Sequence, residues 1–296
     1  MSQPTSQSMS QKNPYRTMIT RQAELLREGA ALPLGGLAPL DSPVPAVGAP
    51  KALIFSPHPD DECIIGGLPL RLLRECGMHV INVAVTLGRQ PERQAPRWSE
   101  LEEACAYIGF GLLRTTENGL LNIDCVTRER KPEIWRAAVA VIAEIPEAEQ
   151  PDVIFIPHDN DWHPAHIGTH HLVLDALAGL PSAFACHVIE TEFWGAMATP
   201  NLMVESDPDD VADLAAALSF HVGEVARNPY HLRLPAWMID NVRRGSELVQ
   251  GKGETAPAMT FATLYRLRRW ADGSIQDVLP AGRVLAAADD LRSLFA

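Results

Sequence analysis

Apolar and polar positions follow two alternating rhythms along this chain. Short apolar runs at Ala52-Leu53-Ile54-Phe55, His79 to Thr86, Leu112 to Thr115, Val153-Ile154-Phe155-Ile156 and Ala185 to Glu192 read as strands. Between them, Ile64 to Cys76, Arg97 to Ile108, Pro132 to Glu144 and Pro164 to Leu177 read as helices, with Gly77 and Gly109 closing the first two. Strands alternating with helices predict parallel β-α-β units. The expected fold class is therefore α/β, a Rossmann-like open, mostly parallel sheet with helices on both faces. After Trp194 the rhythm changes, with helices expected over Asp209 to Val225 and Pro235 to Leu248 and a strand over Met259 to Leu267. Met1 to Asn13 reads as a disordered tail, Pro14 to Gly29 as a short amphipathic helix, and the Pro- and Gly-rich stretch to Pro50 as a linker. The organisation expected is a tail and linker over 1–50 and a single domain over 51–296. That domain divides into an α/β core (51–195) and a smaller C-terminal elaboration (196–296).

Composition narrows the class. With 296 residues, 46% of them hydrophobic, the chain can bury a sizeable core. A formal net charge of −12 disfavours nucleic acid, whose binders need Lys and Arg to displace phosphate counterions. Five cysteines without a C-x-x-C pair suggest reduced thiols and a cytoplasmic protein. The polar first dozen residues are not a secretory signal, and the most apolar run, Ala137 to Ile145, is too short to span a bilayer.

Chemistry concentrates at two strand ends. His58-Pro59-Asp60-Asp61-Glu62 follows the first strand and opens a helix, the place where open α/β sheets bind ligands. The acids also suit the start of a helix, which is the structural reading of the same residues. His58 and Asp61, three apart, can face one point and offer an imidazole and a carboxylate to a zinc ion, leaving Asp60 to aim elsewhere. A dinucleotide site is disfavoured, because Ser56-Pro57-His58 stands where a G-x-G-x-x-G is required. The same grammar recurs in His163-Pro164-Ala165-His166, whose histidines share one helical face. Together the motifs offer two His and one Asp with an open position, the pattern of a catalytic zinc site. His170, four after His166, is a rival ligand; His158 and His171 read as supporting or surface groups.

SPHPDDE followed by D-x-H-P-x-H resembles the LmbE/PIG-L-like N-acetylglucosaminyl deacetylases over roughly Lys51 to Trp194. Gly66-Gly67, Thr86-Leu87-Gly88 and Arg97 with Glu100 are further matches. The resemblance implies a zinc-dependent hydrolase that frees acetate from an N-acetylglucosamine-type sugar or conjugate. It implies that His58, Asp61 and His166 hold zinc, that Asp60 is the general base, and that a protonated His163 assists the oxyanion. It also implies substrate contact by Arg97, and it makes a homo-oligomer plausible.

This chain departs from the family pattern at three places. Ala165 replaces an Asp that would orient His163, a task left to Asp159 or Asp161. Asn118-Gly119 stands at a sugar-contacting place where Asp precedes Gly. His221-Val222-Gly223-Glu224 stands for H-x-S-Q. The basic segments Arg227 to Arg233 and Arg243-Arg244 suit either a substrate or internal ion pairs. Alternative readings are an amidase acting on a larger acyl or thiol-conjugate amide, and a catalytically inactive α/β binding protein. Iron or cobalt would also suit the N/O donor set.

Overall fold

The computed structural model describes residues 13–295, so the expected tail lies outside the described residues except for Asn13. The chain divides into two units, Met1–Pro33 and Leu34–Ala296. In the first, helix α1 (Tyr15–Gly29) forms as the amphipathic pattern predicts, and none of its residues is buried.

The second unit begins earlier than the pattern implies. Residues 34–50 pack on the α/β body as part of it: Leu40 N–H donates to the Tyr107 carbonyl (2.9 Å) and Gly35 N–H to Ser219 Oγ (3.1 Å). Proline and glycine there deny regular structure, not packing.

The body runs β1 (Lys51–Ser56), α2 (Asp61–Ile64), α3 (Gly67–Cys76), β2 (His79–Ala84), α4 (Pro91–Ile108), β3 (Gly111–Arg114), α5 (Cys125–Arg130), α6 (Pro132–Glu149), β4 (Val153–Pro157), α7 (Pro164–Leu177) and β5 (Cys186–Thr191). There follow β6 (Leu202–Ser206), α8 (Pro208–Ser219), α9 (Val222–Val225), α10 (Tyr230–Gly245), β7 (Phe261–Ala271), β8 (Ser274–Asp277) and β9 (Arg283–Leu285). Strands line up in the order β3-β2-β1-β4-β5-β7-β6-β9, with β8 paired to β7. β3 through β5 are parallel; β7 runs antiparallel to β5, β6 and β8. The sheet is open and mostly parallel, as expected.

Why the central strands are apolar throughout is plain from the burial. In β1, Ala52 and Ile54 pack with Leu70, Leu73, Leu101 and Leu214 on one face, while Leu53 and Phe55 pack with Ile142, Val173 and Leu177 on the other. Both faces are covered, so the alternation of a half-exposed strand is absent. The chain steps outward from β1 to β2 and β3, then crosses back to β4 and β5. β1 and β4 are thus the switch point, and the crevice beyond their carboxyl ends is where such sheets place ligands.

Several boundaries differ from the pattern. The helix expected over Ile64 to Cys76 is broken at Gly66 (φ +84), where an added Cβ would stand 2.1 Å from Thr263 Oγ1. α4 starts at Pro91 and α10 at Tyr230, because Pro96 and Pro235 lie inside these helices. The stretch expected as one helix over Asp209 to Val225 parts at Phe220-His221. Strands β6, β8 and β9 and helix α5 are short additions that the pattern did not mark. No helix among the described residues is long and apolar enough to cross a membrane.

Candidate functional site

Two strand ends build the site. After β1 the chain turns through Pro57–Asp60, and Asp61 opens α2 with its Oδ2 accepting the His58 backbone N–H at 2.8 Å. After β4, a loop delivers His163 to the N-cap of α7 and His166 to its first turn. His58 Nδ1 and His166 Nε2 lie 3.3 Å apart, and Asp61 Oδ2 lies 3.6 Å from the first and 3.5 Å from the second. Donors sharing one ion at bond lengths of about 2.0–2.1 Å stand roughly this far apart, so the set fits zinc. His166 and Asp61 are buried and His58 is half-buried. Burial pushes the His58 imidazole below its ordinary value. It would raise Asp61, but His166 and His58 hold that carboxyl low. Neutral imidazole and ionised carboxylate are the forms that bind a metal.

Asp161 braces this group. Its Oδ1 accepts the His163 backbone N–H (2.8 Å), and its Oδ2 accepts the N–H groups of Trp194 and Gly195 (3.1 Å each). Oδ1 also lies 3.7 Å from His166 Nδ1, the ring nitrogen pointing away from His58. That nitrogen is buried with no other partner. A carboxylate behind a metal-binding histidine fixes its ring and tautomer. Burial opposes ionisation of Asp161, yet these contacts lower its carboxyl to about 2.

Asp60 sits beside the donor triangle. It is buried, lines the same cavity, and adopts φ +110, a strained conformation for a residue with a side chain. Its N–H donates to Glu62 Oε2 at 3.0 Å. Burial, then the neighbouring Asp61 charge, raises its carboxyl well above the ordinary range. A carboxylate so placed is a ready proton acceptor near neutral pH.

His163 caps the helix that carries it. Its Nδ1 accepts the Ala165 N–H at 3.2 Å, capping α7, which leaves Nε2 as the N–H donor. Partial desolvation, with His58 and His166 nearby, lowers its pKa to about 4. With its pKa lowered in this way the neutral ring is favoured, and its Nε2 is free to donate. Asp161 holds the His163 backbone and stands behind His166, and Asp159 is exposed, so neither orients the His163 ring.

A cavity of about 630 Å³ opens over these groups. Arg97 lines it, with Nη2 3.4 Å from the Pro59 carbonyl and 3.4 Å from Glu224 Oε1. Gly88 (φ +87) makes room for it, since a Cβ there would stand 2.5 Å from Arg97 Nη1. Asn118 is exposed and does not line the cavity; Asn122 (φ +57) lines it instead. Trp194, Glu224, Arg227 and Tyr230 complete the far wall. Of the later basic segments, Arg227 reaches the cavity, whereas Arg244 pairs with Glu192 (2.7 Å) and Arg243 with Asp240 (2.8 Å). His170 stays out of the donor group; its Nδ1 bonds to the Pro157 carbonyl at 2.9 Å.

A second cluster, Glu62, Cys63 and His221, is entirely buried. Glu62 is already engaged by His221 Nε2 (2.7 Å) and Cys63 Sγ (3.2 Å), and burial pushes the Cys63 thiol well up. It is a buried bonding network that ties α9 to the first motif.

Comparisons with known proteins add to this geometry. A family model described as "PIG-L: GlcNAc-PI de-N-acetylase" matches residues 53–177. A 1D-myo-inositol 2-acetamido-2-deoxy-alpha-D-glucopyranoside deacetylase of Salinispora arenicola is 28% identical over 155 residues, 43% of this chain and 50% of that protein. The chain thus spans about half the length of the curated relatives it matches. Among solved structures, an N,N'-diacetylchitobiose deacetylase from Pyrococcus horikoshii aligns over 88% of this chain and 94% of its own, at 18% identity and a TM-score of 0.53. A 4-carboxy-2-hydroxymuconate hydratase from Pseudomonas putida KT2440 aligns over 74% and 95%, at 17% identity and a TM-score of 0.50. Both structures share the fold, and their different titles show that fold alone does not settle a reaction.

Proposed function

We propose that this protein, whose residues 53–177 match the family model described as a GlcNAc-PI de-N-acetylase, is a zinc-dependent hydrolase of N-acetylated amino-sugar conjugates. One observation carries the reading. His58 Nδ1, Asp61 Oδ2 and His166 Nε2 form a triangle with edges of 3.3 to 3.6 Å, and Asp60, a carboxyl of raised pKa, stands beside it in the cavity.

In this reading His58, Asp61 and His166 hold the ion. Bound there, zinc would supply Lewis acidity and make water nucleophilic near neutral pH. Asp60 accepts the proton of the attacking water. The Nε2–H of neutral His163 donates to the carbonyl oxygen as negative charge develops on it, a role worth roughly 3–4 kcal/mol per donor. Asp60, now protonated, returns the proton to the departing nitrogen as the C–N bond breaks. Water and amide become acetate and free amine. Trp194 and Tyr230, with ring centroids 5.0 Å apart, offer an aromatic wall suited to the apolar face of a sugar. Arg97, which lines the cavity beside Glu224, contributes to positioning the substrate. The five free cysteines support a cytoplasmic setting.

The test is acetate release from a panel of N-acetylglucosaminides by zinc-loaded protein. Release above the metal-free control supports the reading. Absence of release from every member, with zinc bound stoichiometrically, contradicts it.

A further inference from the structure

Helix α1 lies outside residues 53–177, the stretch that the family model matches. Its start is fixed by Asn13, whose Oδ1 accepts the Tyr15 N–H at 3.0 Å. At about 100° per residue, Tyr15, Met18, Ile19, Leu25 and Leu26 fall within roughly a third of the helix circumference. All five are exposed, Tyr15 by 67% and Leu25 by 66%. A single helix of this length is marginal in water unless its apolar face finds a surface.

The charges around that face decide which surface it suits. The first charged side chain on one border is Arg16 and on the other Arg21, while Glu24 stands opposite and pairs with Arg27 at 3.8 Å. Residues 1–33 hold four cations, Lys12, Arg16, Arg21 and Arg27, and two anions, Glu24 and Glu28, in a chain whose net charge is −12. Beyond a Debye length of about 8 Å the remaining charge is largely screened, so the local excess governs what the helix meets. An arginine beside an apolar stripe runs its stem along the stripe and reaches phosphate with its guanidinium. That is the arrangement of a helix lying in the interface of an anionic bilayer. Pairing with α1 of a second copy is disfavoured. Its 15 residues give about two heptads where roughly three or four sustain a coiled coil, and the polar Gln22 falls in the middle of the seam.

We propose that α1 docks the protein on an anionic lipid bilayer, with Tyr15, Met18, Ile19, Leu25 and Leu26 toward the acyl chains and Arg16 and Arg21 at the phosphates. The helix lies in the interface and does not span it, since 15 residues rise only about 22 Å against a hydrocarbon core of about 30 Å. The contact is reversible, as a single short anchor is. It is independent of the deacetylase reading, because no residue of the proposed active site takes part.

The test is flotation of the full-length protein with vesicles of phosphatidylcholine alone and of an equal mixture of phosphatidylcholine and phosphatidylglycerol. Wild type is expected to favour the mixed vesicles by about tenfold or more, with the preference shrinking as salt rises. Ile19→Gln combined with Leu25→Gln is expected to cut association with the mixed vesicles by about tenfold or more. Arg16→Gln combined with Arg21→Gln is expected to remove most of the preference for them. Glutamine keeps helix propensity at these exposed positions, and circular dichroism with zinc content verifies that both variants fold. Wild type that floats no better than the Ile19→Gln, Leu25→Gln variant would overturn the proposal. So would a concentration-dependent dimer in lipid-free sedimentation that this variant dissolves, which assigns the face to a second copy. A lipid-free unfolding temperature lowered by the same variant would overturn it too, assigning the face to the chain's own body.

Discussion

His221 and Glu62, 159 positions apart in the chain, meet at 2.7 Å with both side chains sealed from solvent. The contact governs more than its own surroundings, because the other oxygen of Glu62 accepts the Asp60 N–H at 3.0 Å. Asp60 is held at φ +110, a conformation that persists only when neighbours over-determine it. The start of α9 thus helps to fix the residue proposed as the general base. His221→Phe leaves the Glu62 carboxylate buried without its partner and is expected to lower stability by about 3–5 kcal/mol. Urea denaturation checks this; a loss under about 1 kcal/mol would contradict the role given to the contact.

Asp161 supports His166 from behind the proposed metal. Asp161→Asn keeps the shape and removes the charge, so zinc affinity is expected to fall about 10–100-fold. Competition against a chromophoric chelator measures it. Unchanged affinity would remove Asp161 from the support of the site.

The same carboxylate gives a pH signature in metal-free protein. Its folded pKa is about 2 against an ordinary 3.8. A depressed carboxylate pKa contributes stability above its unfolded value, and the contribution is lost as pH falls through the folded value. Wild type is therefore expected to exceed Asp161→Asn by about 2 kcal/mol at pH 6, with the gap narrowing below about pH 4 and closing near pH 2. Denaturation across that range tests it. A gap that widens on acidification contradicts the assignment.

Gly66 meets two demands at once, a positive φ and the close approach of Thr263. Gly66→Ala is expected to destabilise by more than the roughly 1 kcal/mol of the conformational term alone, because the clash is added to it. Gly66→Ala combined with Thr263→Ala removes the Oγ1 and Cγ2 atoms of the contact but relieves none of the backbone strain. Thermal unfolding of the two variants should rank them in that order, and a single variant as stable as wild type would refute the clash.

How much of this was legible in the sequence follows from how local each signal is. His58, Asp60 and Asp61 follow one strand, and His163 and His166 follow another, so strand pattern and spacing alone placed both groups at the carboxyl edge of the sheet. Pro164 to Leu177 is the helix observed, because Pro164 at its first position marks the start. Helices expected to begin at Arg97 and Pro235 begin earlier, and packing on the sheet carries α4 and α10 through Pro96 and Pro235. The far wall was not legible as a wall. Trp194 arrives from the loop after β5, Glu224 from α9 and Tyr230 from α10, and no spacing rule joins them. The tautomer of His163 was hidden as well, since it depends on the Ala165 N–H at the cap.

The central claim is that Asp60 takes the water proton without holding the metal. The direct test compares Asp60→Asn with wild type, both loaded with zinc, measuring metal content and acetate release together. The account expects equal zinc and a turnover lower by about 10²–10⁴-fold. Full turnover with stoichiometric zinc, or loss of the zinc itself, would contradict it.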